Sequence, residues 1–179
     1  MPEPFEVPQP WHNFLSELDL ALTEPVCIHC IGGFVVSMCY GLERPTVDVD
    51  VVWIMPNVQR TILQQMGGEG SPLDKKYGVH IQFVTVAPLC ENYEDRLVEM
   101  FPGTYRNIRL LALDPYDLAL SKIDRNIERD RSDVRYLMRT IPLDRNILRE
   151  RYNTELRPGF VGNVERADAT LNLWLADDF

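Results

Sequence analysis

Hydrophobic residues along this chain follow two different periods. Four short stretches rich in β-branched or aromatic residues predict β-strands. They cover about residues 27–31, 47–54, 79–86 and 108–113. From Trp11 to Leu22, and again beyond Pro115, apolar residues recur at the spacing of amphipathic helices. The pattern predicts an α/β (α+β) fold in which a small mixed sheet is flanked by helices and followed by a helical C-terminal section.

Further helices are predicted where helical spacing coincides with capping or turn residues. These segments are Pro56 to about Met66, Glu91 to Phe101, a helix that begins at Pro115 with Asp114 as its N-cap, a helix capped by Asp130, and residues 144–156 and 162–175. The helix from Pro115 would bury Tyr116, Leu120, Ile123 and Ile127. If it persists far enough, Lys122 and Arg129 lie on one side of it, because they are seven residues apart.

Length and composition predict one globular domain. The chain has 179 residues, of which 45% are hydrophobic and 25% charged, so it supports one sizeable core. Four prolines predict that residues 1–10 form a flexible arm, which leaves 11–179 as a single domain with an α/β core (11–113) and a helical section (114–179). No apolar run approaches the roughly 18 residues of a membrane span, and no signal sequence is recognisable. We therefore expect a cytoplasmic protein without membrane contact, whose last helix packs on the core or on a second subunit of a homodimer.

Asp48 and Asp50 interrupt an apolar run, 47–54, that otherwise indicates a strand buried on both faces. Residues two apart on a strand point to the same side and are roughly 7 Å apart. Two like charges at that distance repel by about 2 kcal/mol at an effective dielectric constant of about 20. Mg²⁺ would relieve this repulsion, since it typically binds one or two carboxylates together with water and phosphate oxygens. The pattern predicts Asp48 and Asp50 as magnesium ligands; the alternative is an exposed edge strand whose carboxylates face water.

Gly32 and Gly33 stand where the first predicted strand gives way to an apolar helix from Phe34 to Tyr40. Glycine lets a phosphate approach the backbone closely, and a helix N-terminus offers unpaired N–H groups to an anion. Most Gly-Gly pairs only form turns. Here Arg44-Pro45-Thr46 and the two carboxylates follow, so one strand-helix-strand unit combines an anion site with a cation site. A nucleoside triphosphate bound with magnesium requires this combination.

The glycine pair and the run Arg44-Pro45-Thr46-Val47-Asp48-Val49-Asp50 resemble the signature of the polymerase-β-like (minimal) nucleotidyltransferase superfamily. The particular form of this motif is similar to that in the small bacterial stand-alone members of the superfamily, including the AbiEii-type toxin branch. The likeness continues through Leu113-Asp114-Pro115-Tyr116-Asp117-Leu118, Lys122 and Arg129-Asp130-Arg131-Ser132-Asp133, so it covers about residues 26–140.

The resemblance implies magnesium-dependent transfer of a nucleoside monophosphate from a nucleoside triphosphate to an acceptor, which is an RNA end, a protein hydroxyl or a small molecule. It implies that Gly32, Gly33, Arg44 and Thr46 bind the nucleotide, that Asp48 and Asp50 hold Mg²⁺ and take part in catalysis, and that Lys122 contacts the phosphates. For Lys122 the alternative is an exposed lysine paired with a neighbouring acid. A toxin–antitoxin context with a cognate protein partner is implied only by the resemblance to the toxin branch of the superfamily.

One position departs from the family pattern. Catalytic members carry a third carboxylate on the strand that here covers 79–86, and this chain has Gln82 or His80 instead. Loss of a general base lowers a rate by on the order of 10² to 10⁴. Asp114, at the end of a later predicted strand, is a candidate replacement. Three interpretations stay open: an active transferase, a degenerate member that binds nucleotide or a protein partner without catalysis, and a structural domain whose aspartates are merely exposed.

Charge is distributed unevenly. The net charge of −9 argues against general coating of nucleic acid. Residues 106–157, however, hold twelve Lys or Arg against nine Asp or Glu. An anionic ligand would face that segment, unless its charges form a solvated, salt-bridged surface. Arg131, Arg135 and Arg139 form a stripe at a spacing of four residues. This stripe binds RNA, binds an acidic partner or faces solvent, and we favour solvent.

The four cysteines do not indicate a disulfide framework in a chain of this size. Cys27 and Cys30 have the spacing of a metal or redox pair. On a strand they would point to opposite faces, and no second ligand pair follows. Zinc or redox chemistry is therefore disfavoured, and His29 between them is expected to be a core or near-site histidine.

Overall fold

The structure, a computed structural model, describes residues 6–179 and contains the predicted mixed sheet flanked by helices. In chain order its elements are α1 (Trp11–Ala21), β1 (Val26–Ile31), α2 (Gly32–Met38), β2 (Asp48–Met55), α3 (Arg60–Gly67), α4 (Pro72–Tyr77), β3 (His80–Phe83), β4 (Val98–Met100), β5 (Ile108–Ala112), α5 (Pro115–Leu120), α6 (Glu128–Thr140), α7 (Arg145–Arg151) and α8 (Val164–Trp174). A π-helical turn, Tyr152–Leu156, continues α7. The predicted α/β (α+β) fold class is confirmed.

The described chain forms two compact units. The first consists of residues up to Thr85 together with Val98–Ala112, and it holds the whole sheet and helices α1 to α4. The second consists of Val86–Leu97 and Leu113–Phe179, and it holds α5 to α8. The organisation of 11–179 as one domain stays a prediction. Half of the predicted arm, residues 1–5, lies outside the described residues, whereas Val7 is buried.

The sheet has the strand order β3-β2-β1-β5-β4. β2 runs antiparallel to β1 and parallel to β3, while β5 runs parallel to β1 and antiparallel to β4. Both β2 and β1 are therefore interior strands. The alternative that the two aspartates lie on an edge strand is wrong, because β2 pairs with β1 on one side and with β3 on the other.

In the core of the first unit, helix α1 packs against α3 and α4. Trp11, Phe14, Leu15 and Leu18 of α1 are buried, as the helical spacing predicts. The ring of Trp11 lies edge-on to the rings of Phe14 and Phe34, with centroids 5.6 and 4.7 Å away. Such aromatic contacts add to the free energy gained from burying apolar area.

The prediction that residues 47–54 are buried on both faces is wrong. Val49, Val51 and Ile54 are buried, but Val47 and Trp53 are 58% and 48% exposed. An apolar run does not distinguish a strand covered on both sides from one that leaves apolar side chains on the surface. At the start of β2, from Asp48 to Val52, half-buried residues alternate with buried ones, so the face that carries the aspartates is partly accessible.

The predicted helix from Glu91 to Phe101 is also wrong. A short 3₁₀ turn, Tyr93–Arg96, is followed by strand β4, in which Val98 pairs with Ala112 of β5. The helical pattern there is local, whereas pairing with β5 depends on residues 10 to 14 positions away. Tertiary context overrides weak local propensity in such segments.

The helix that starts at Pro115 is shorter than predicted. It ends at Leu120, and α6 begins only at Glu128, so Lys122 and Arg129 do not share a helix. Asn126 between them has a φ of 44°, a left-handed conformation that asparagine tolerates better than most residues. Leu120 and Ile123 are buried as expected, but Ile127 is 46% exposed.

Candidate functional site

Asp48 and Asp50 begin strand β2 and share its accessible face. Both are half-buried, while Val49 between them is buried. The alternation of a strand therefore places the two carboxylates side by side, roughly 7 Å apart by the strand rise. Partial exposure leaves both carboxylates accessible to a cation and its water shell.

Gly32 brings the start of helix α2 against one of these carboxylates. It follows Ile31, whose backbone is in register with Asp50, and its φ of +80° lies in the left-handed region. A Cβ atom added to Gly32 would collide with Oδ2 of Asp50. Glycine is needed here both for its conformation and for the space, and Gly33 follows as the second residue of α2.

The loop before β2 is fixed by hydrogen bonds to its backbone. The hydroxyl of Thr46 donates to the carbonyl oxygen of Asp48 at 2.9 Å, and Nε1 of Trp11 donates to the carbonyl oxygen of Thr46 at 3.3 Å. Ser37 Oγ of α2 donates to the carbonyl oxygen of Arg44 at 3.0 Å. Arg44 and Thr46 are thus held close in sequence and space to the aspartates, and the observed role of Thr46 is to position the backbone.

Strand β3 places His80 and Gln82 beside the carboxylates. In the parallel β2–β3 register, His80 pairs with Asp48 and Gln82 pairs with Asp50. Paired residues point to the same face of a sheet, so the exposed Gln82 stands where a third carboxylate would face Asp50. Within residues 6–179, no group of three or more His, Cys, Asp or Glu residues has the arrangement of a metal site.

Asp74 orients His80 at the outer side of β3. Its Oδ2 accepts from the backbone N–H of Gly70 at 2.7 Å, and its Oδ1 lies 3.4 Å from Nδ1 of His80. Ser71 caps α4 by accepting from the N–H of Asp74 at 3.2 Å. Helix α4 and this contact are missed by the sequence prediction, although Ser71 before the helix and Gly78 after it are start and stop signals that could have indicated it.

Lys122 belongs to the second unit, where it is buried in an ion-pair cluster. Its ammonium lies 2.9 Å from Asp133 Oδ2 and 3.8 Å from Asp130 Oδ1, and only 7% of the residue is exposed. Arg125 donates to both oxygens of Asp130, at 2.7 and 2.8 Å. Burial opposes the ionised form of Asp130, but the hydrogen bonds from Arg125 and the charge of Lys122 outweigh it and hold the pKa of this carboxyl below its usual range. The alternative of an exposed Lys122 is wrong, although its pairing with neighbouring acids is observed.

Asp130 also contributes to the start of α6. The backbone N–H of Ile127 donates to its Oδ2 at 3.3 Å, so Asp130 caps the helix from the third position rather than as the N-cap residue. The acidic pair of the Arg-Asp-x-x-Asp motif therefore neutralises Lys122 and secures the N-terminus of α6. Contact of Lys122 with phosphates stays a prediction.

Asp114 is engaged in a second ion-pair network of the same unit. It caps α5 as predicted, accepting from the N–H of Asp117 at 2.8 Å, and Arg151 Nη1 donates to its Oδ2 at 2.7 Å. Arg96 donates to both oxygens of the buried Asp117, at 2.9 and 3.1 Å, and to Glu155 at 2.8 Å. The role of Asp114 as a replacement for the third carboxylate stays a prediction.

The cysteines are all free thiols. Cys30 is fully buried, and burial, followed by the nearby charge of Asp50, raises the pKa of its thiol. Cys27 is only half-buried. A buried, protonated thiol is a poor nucleophile and a poor metal ligand, so Cys30 acts as a small apolar core residue.

The family model for nucleotidyltransferases of unknown function (DUF6036) matches residues 13–171. The chain belongs to this family. Neither the curated proteins nor the solved structures contain a match to it. The DUF6036 assignment supports general nucleotidyl transfer and the nucleotidyltransferase superfamily to which the glycine and aspartate motifs pointed. None of the described helices is long and apolar enough to cross a bilayer.

Sequence reasoning missed a cavity of the first unit. A cavity of about 350 Å³ lies at the carboxyl ends of β2 and β3. It is lined by Val51, Val52, Trp53, Ile54, Asn57, Arg60, Phe83, Val84 and Thr85. No motif marks these residues, because the wall is assembled from two strands and a helix start that are separated in sequence.

Proposed function

We propose that this protein is a magnesium-dependent nucleotidyltransferase that moves a nucleoside monophosphate from a nucleoside triphosphate to an acceptor. Membership of DUF6036 supports a nucleoside triphosphate as the substrate. The observation that carries the proposal is the placement of Asp48 and Asp50 on the accessible face of β2, with the Asp50 carboxylate against Gly32 at the start of α2.

The residues present fit a magnesium ion. Mg²⁺ is usually bound through one or two carboxylates, with water and substrate phosphates completing its coordination. Asp48 and Asp50 offer two carboxylates on one face, and both are half-buried. When bound, the ion would polarise the phosphate oxygens and offset the charge that develops on the transferring group.

The chain itself supplies positioning. Gly32 and Gly33 carry no Cβ at the start of α2, so a phosphate can approach the backbone closely there. Thr46 holds the backbone of Asp48, and Arg44 belongs to the same loop. In phosphoryl chemistry such positioning and charge stabilisation carry most of the acceleration. The phosphate contact of Lys122 remains part of the proposal on the strength of the family resemblance.

The acceptor class and the cellular role belong to the proposal as well. An RNA end, a protein hydroxyl and a small molecule each offer the hydroxyl that the reaction needs. The relation to the AbiEii-type branch, and with it a toxin–antitoxin context and a cognate protein partner, is supported by the resemblance of the motifs alone.

The first prediction tests the metal site. Replacement of Asp48 and Asp50 by Asn removes both negative charges at nearly constant shape, so magnesium-dependent binding of nucleoside triphosphates should be lost. We would titrate each of the four ribonucleoside triphosphates calorimetrically, with and without Mg²⁺, against the wild type and the double variant. Unchanged circular dichroism of the double variant controls for folding. Equal magnesium-dependent binding by both proteins would refute the site.

The second candidate function is a degenerate member that binds nucleotide or a protein partner without catalysis. Gln82 favours it, because an amide faces Asp50 where active members carry a carboxylate. An amide cannot accept a proton from the attacking hydroxyl.

The second prediction distinguishes these two functions. If the protein is degenerate at this position, Gln82→Asp should gain pyrophosphate release, by on the order of 10² or more over the wild type. Release would be measured with Mg²⁺, nucleoside triphosphate and, in turn, total RNA, protein and small-molecule fractions as acceptors. Gln82→Asn, which changes length without adding charge, is the matched control. An active wild type would reject the degenerate alternative, and an inactive Gln82→Asp variant would show that this position does not explain inactivity.

A further inference from the structure

The last part of strand β2 has a free edge on the side of β3. β3 pairs with β2 only from Asp48 to Val51, and the N–H of Val84 still donates to the carbonyl oxygen of Val51 at 2.9 Å. β2 continues to Met55, and in the described part of the chain these last residues pair with β1 alone. Within residues 6–179, the backbone groups of 52–55 that point away from β1 therefore lack a strand partner. Such an edge is a template for a further extended chain.

A β-bulge exposes two large apolar side chains of this edge. The register of β2 with β1 shifts after Val51, so that β2 carries one extra residue, Val52. Strict alternation would place Trp53 on the same side as the buried Val51, but the extra residue places Ile54 there instead. Ile54 is accordingly buried, while Trp53 and Met55 are 48% and 55% exposed. The free edge is therefore bordered by apolar surface.

The cavity of about 350 Å³ in the first unit lies along this edge. It is bordered by residues 51–54 of β2, by residues 83–85, where the chain leaves β3, and by Asn57 and Arg60. Ile54 and Trp53 point to opposite sides of β2 and yet both line the cavity, so it lies beside the strand and not over one face of the sheet. The free edge is roughly 10 Å long. A single extended segment fits there, whereas a second folded copy would bring its own β3 and α3 into the same space.

Arg60 gives the cavity a positive charge. Its guanidinium carbon lies 4.7 Å from the centroid of the Phe83 ring. Among residues 6–179, no carboxylate forms an ion pair with it, and no residue that lines the cavity is acidic. Stacking on a ring occupies the flat face of the guanidinium and leaves its N–H donors, which lie in the plane, available to an anion. An acidic side chain of a partner complements this wall.

We propose that the free edge of β2 binds an extended segment of a partner protein, which adds a strand beside residues 52–55. The segment places apolar side chains next to Trp53 and Met55 and an Asp or Glu side chain on Arg60. Polypeptide is the occupant because it supplies backbone donors and acceptors at the spacing of a strand, while alternate side chains give specificity. The inference goes beyond nucleotidyl transfer, since none of these residues belongs to the proposed magnesium or phosphate sites.

The third prediction tests this docking site with peptides. Selection of a displayed library of random decapeptides on the full chain should enrich sequences that alternate apolar residues and contain an acidic one. We would titrate a synthetic peptide of the enriched sequence calorimetrically against the wild type and variants. Arg60→Ala should weaken its binding about tenfold or more, the effect of losing a charge-assisted hydrogen bond. Trp53→Ser should weaken it on the order of fivefold or more.

Two controls keep this test independent of folding. Arg106→Ala removes an exposed arginine elsewhere in the same unit and should leave peptide binding unchanged. Arg60→Glu should lose the acidic peptide and gain affinity for the same peptide with Lys in place of its acidic residue. Such a reversal of charge preference requires a folded variant and a direct contact with position 60.

Methylation of single peptide backbone nitrogens tests the strand pairing itself. A strand added to an edge points alternate N–H groups toward it, so N-methylation should abolish binding at every second position and be tolerated between them. An equal effect at all positions, or at none, would show that the peptide does not pair with β2 and would overturn the proposal.

Three other results would also overturn it. They are the absence of any enriched sequence, equal peptide affinity in the wild type and in Arg60→Ala, and displacement of the peptide by nucleoside monophosphates, which would make the cavity a site for small anions. A homodimer in sedimentation that Trp53→Ser dissociates would instead identify a second copy as the occupant. Arg60→Ala should leave magnesium-dependent triphosphate binding unchanged, so that failure of the docking site and failure of the proposed function are told apart.

Discussion

At the scale of the residue, Gly32 connects the backbone of α2 to the chemistry of β2. Its φ of +80° is costly for any residue with a Cβ, and the space that a Cβ would need is occupied by the Asp50 carboxylate. The two requirements have different consequences. The backbone requirement affects stability, whereas the space requirement affects where the carboxylate points.

The fourth prediction uses Gly32→Ala. The substitution should lower the free energy of unfolding by about 1–2 kcal/mol through the left-handed backbone alone. It should also abolish magnesium-dependent triphosphate binding, since the Asp50 carboxylate must rotate away from the added methyl group. Denaturant unfolding and calorimetric titration measure the two effects separately.

Gly70→Ala provides the matched control for that experiment. Gly70 has a φ of +75°, and a Cβ built on it has no atom within 4 Å. It should therefore show the same kind of stability loss while retaining nucleotide binding. Retained binding in Gly32→Ala would mean that the position of the Asp50 carboxylate does not matter for the ligand.

At the scale of the element, helices α5 and α6 are connected by the charge of Lys122. The segment between them contributes a lysine side chain that is 6% exposed, and α6 contributes two aspartate side chains that are each 1% exposed. Removal of one member of a buried ion pair leaves an uncompensated charge, whereas replacement of both members by apolar residues is often neutral. The cluster therefore has a stability function whether or not Lys122 also contacts phosphate.

The fifth prediction follows from this cluster. Lys122→Met should lower the free energy of unfolding by about 3–5 kcal/mol, because Asp133 loses its ammonium partner. The combined variant Lys122→Met/Asp133→Leu should recover part of the loss. Denaturant unfolding of both variants is the measurement, and Lys76→Met, at an exposed pair with Glu17, is the control and should change stability far less.

The stability of the Lys122→Met variant also distinguishes a structural role of Lys122 from a catalytic one. A Lys122→Met variant as stable as the wild type would contradict the ion-pair function. If that stable variant also lost nucleotidyl transfer, the loss would point directly to a phosphate contact.

Register between elements decides the chemistry beside the aspartates. Parallel pairing of β2 with β3 brings Gln82 next to Asp50 and His80 next to Asp48. A shift of one residue would place Ile81, which is buried, at this position instead. The alternation of apolar residues in β3 therefore sets the register that places the Gln82 amide beside Asp50, where the family pattern has a carboxylate.

At the scale of the whole molecule, the family match covers residues 13–171 and so includes parts of both compact units. Within residues 106–157, the stripe of Arg131, Arg135 and Arg139 is paired with groups of the chain itself. Arg131 and Arg135 both pair with Glu128, and Arg139 donates to the carbonyl oxygen of Phe179 at 3.3 Å. Internal pairing of this kind agrees with the preference for solvent over RNA at the arginine stripe.

Local pattern was sufficient for much of the first unit. The strands around 27–31 and 108–113, the helix from Trp11 and the position of the two aspartates on one side of a strand could all be placed from residue order. The reason is that side-chain alternation and the conformational freedom of glycine act over a few neighbouring residues. These local periods can be recognised without knowing which strands pair, so the sequence alone indicates the elements.

Only the tertiary structure decided which distant residues meet. Strand β4 replaced a predicted helix because β5 pairs with it, and Lys122 became buried because Asp130 and Asp133 surround its charge. The cavity at Arg60 likewise joins side chains from separate elements. Each arrangement depends on the free energy of packing and pairing between segments far apart in the chain, which no local period encodes. The sequence therefore determined the components of the site, and the fold decided which residues stand beside them.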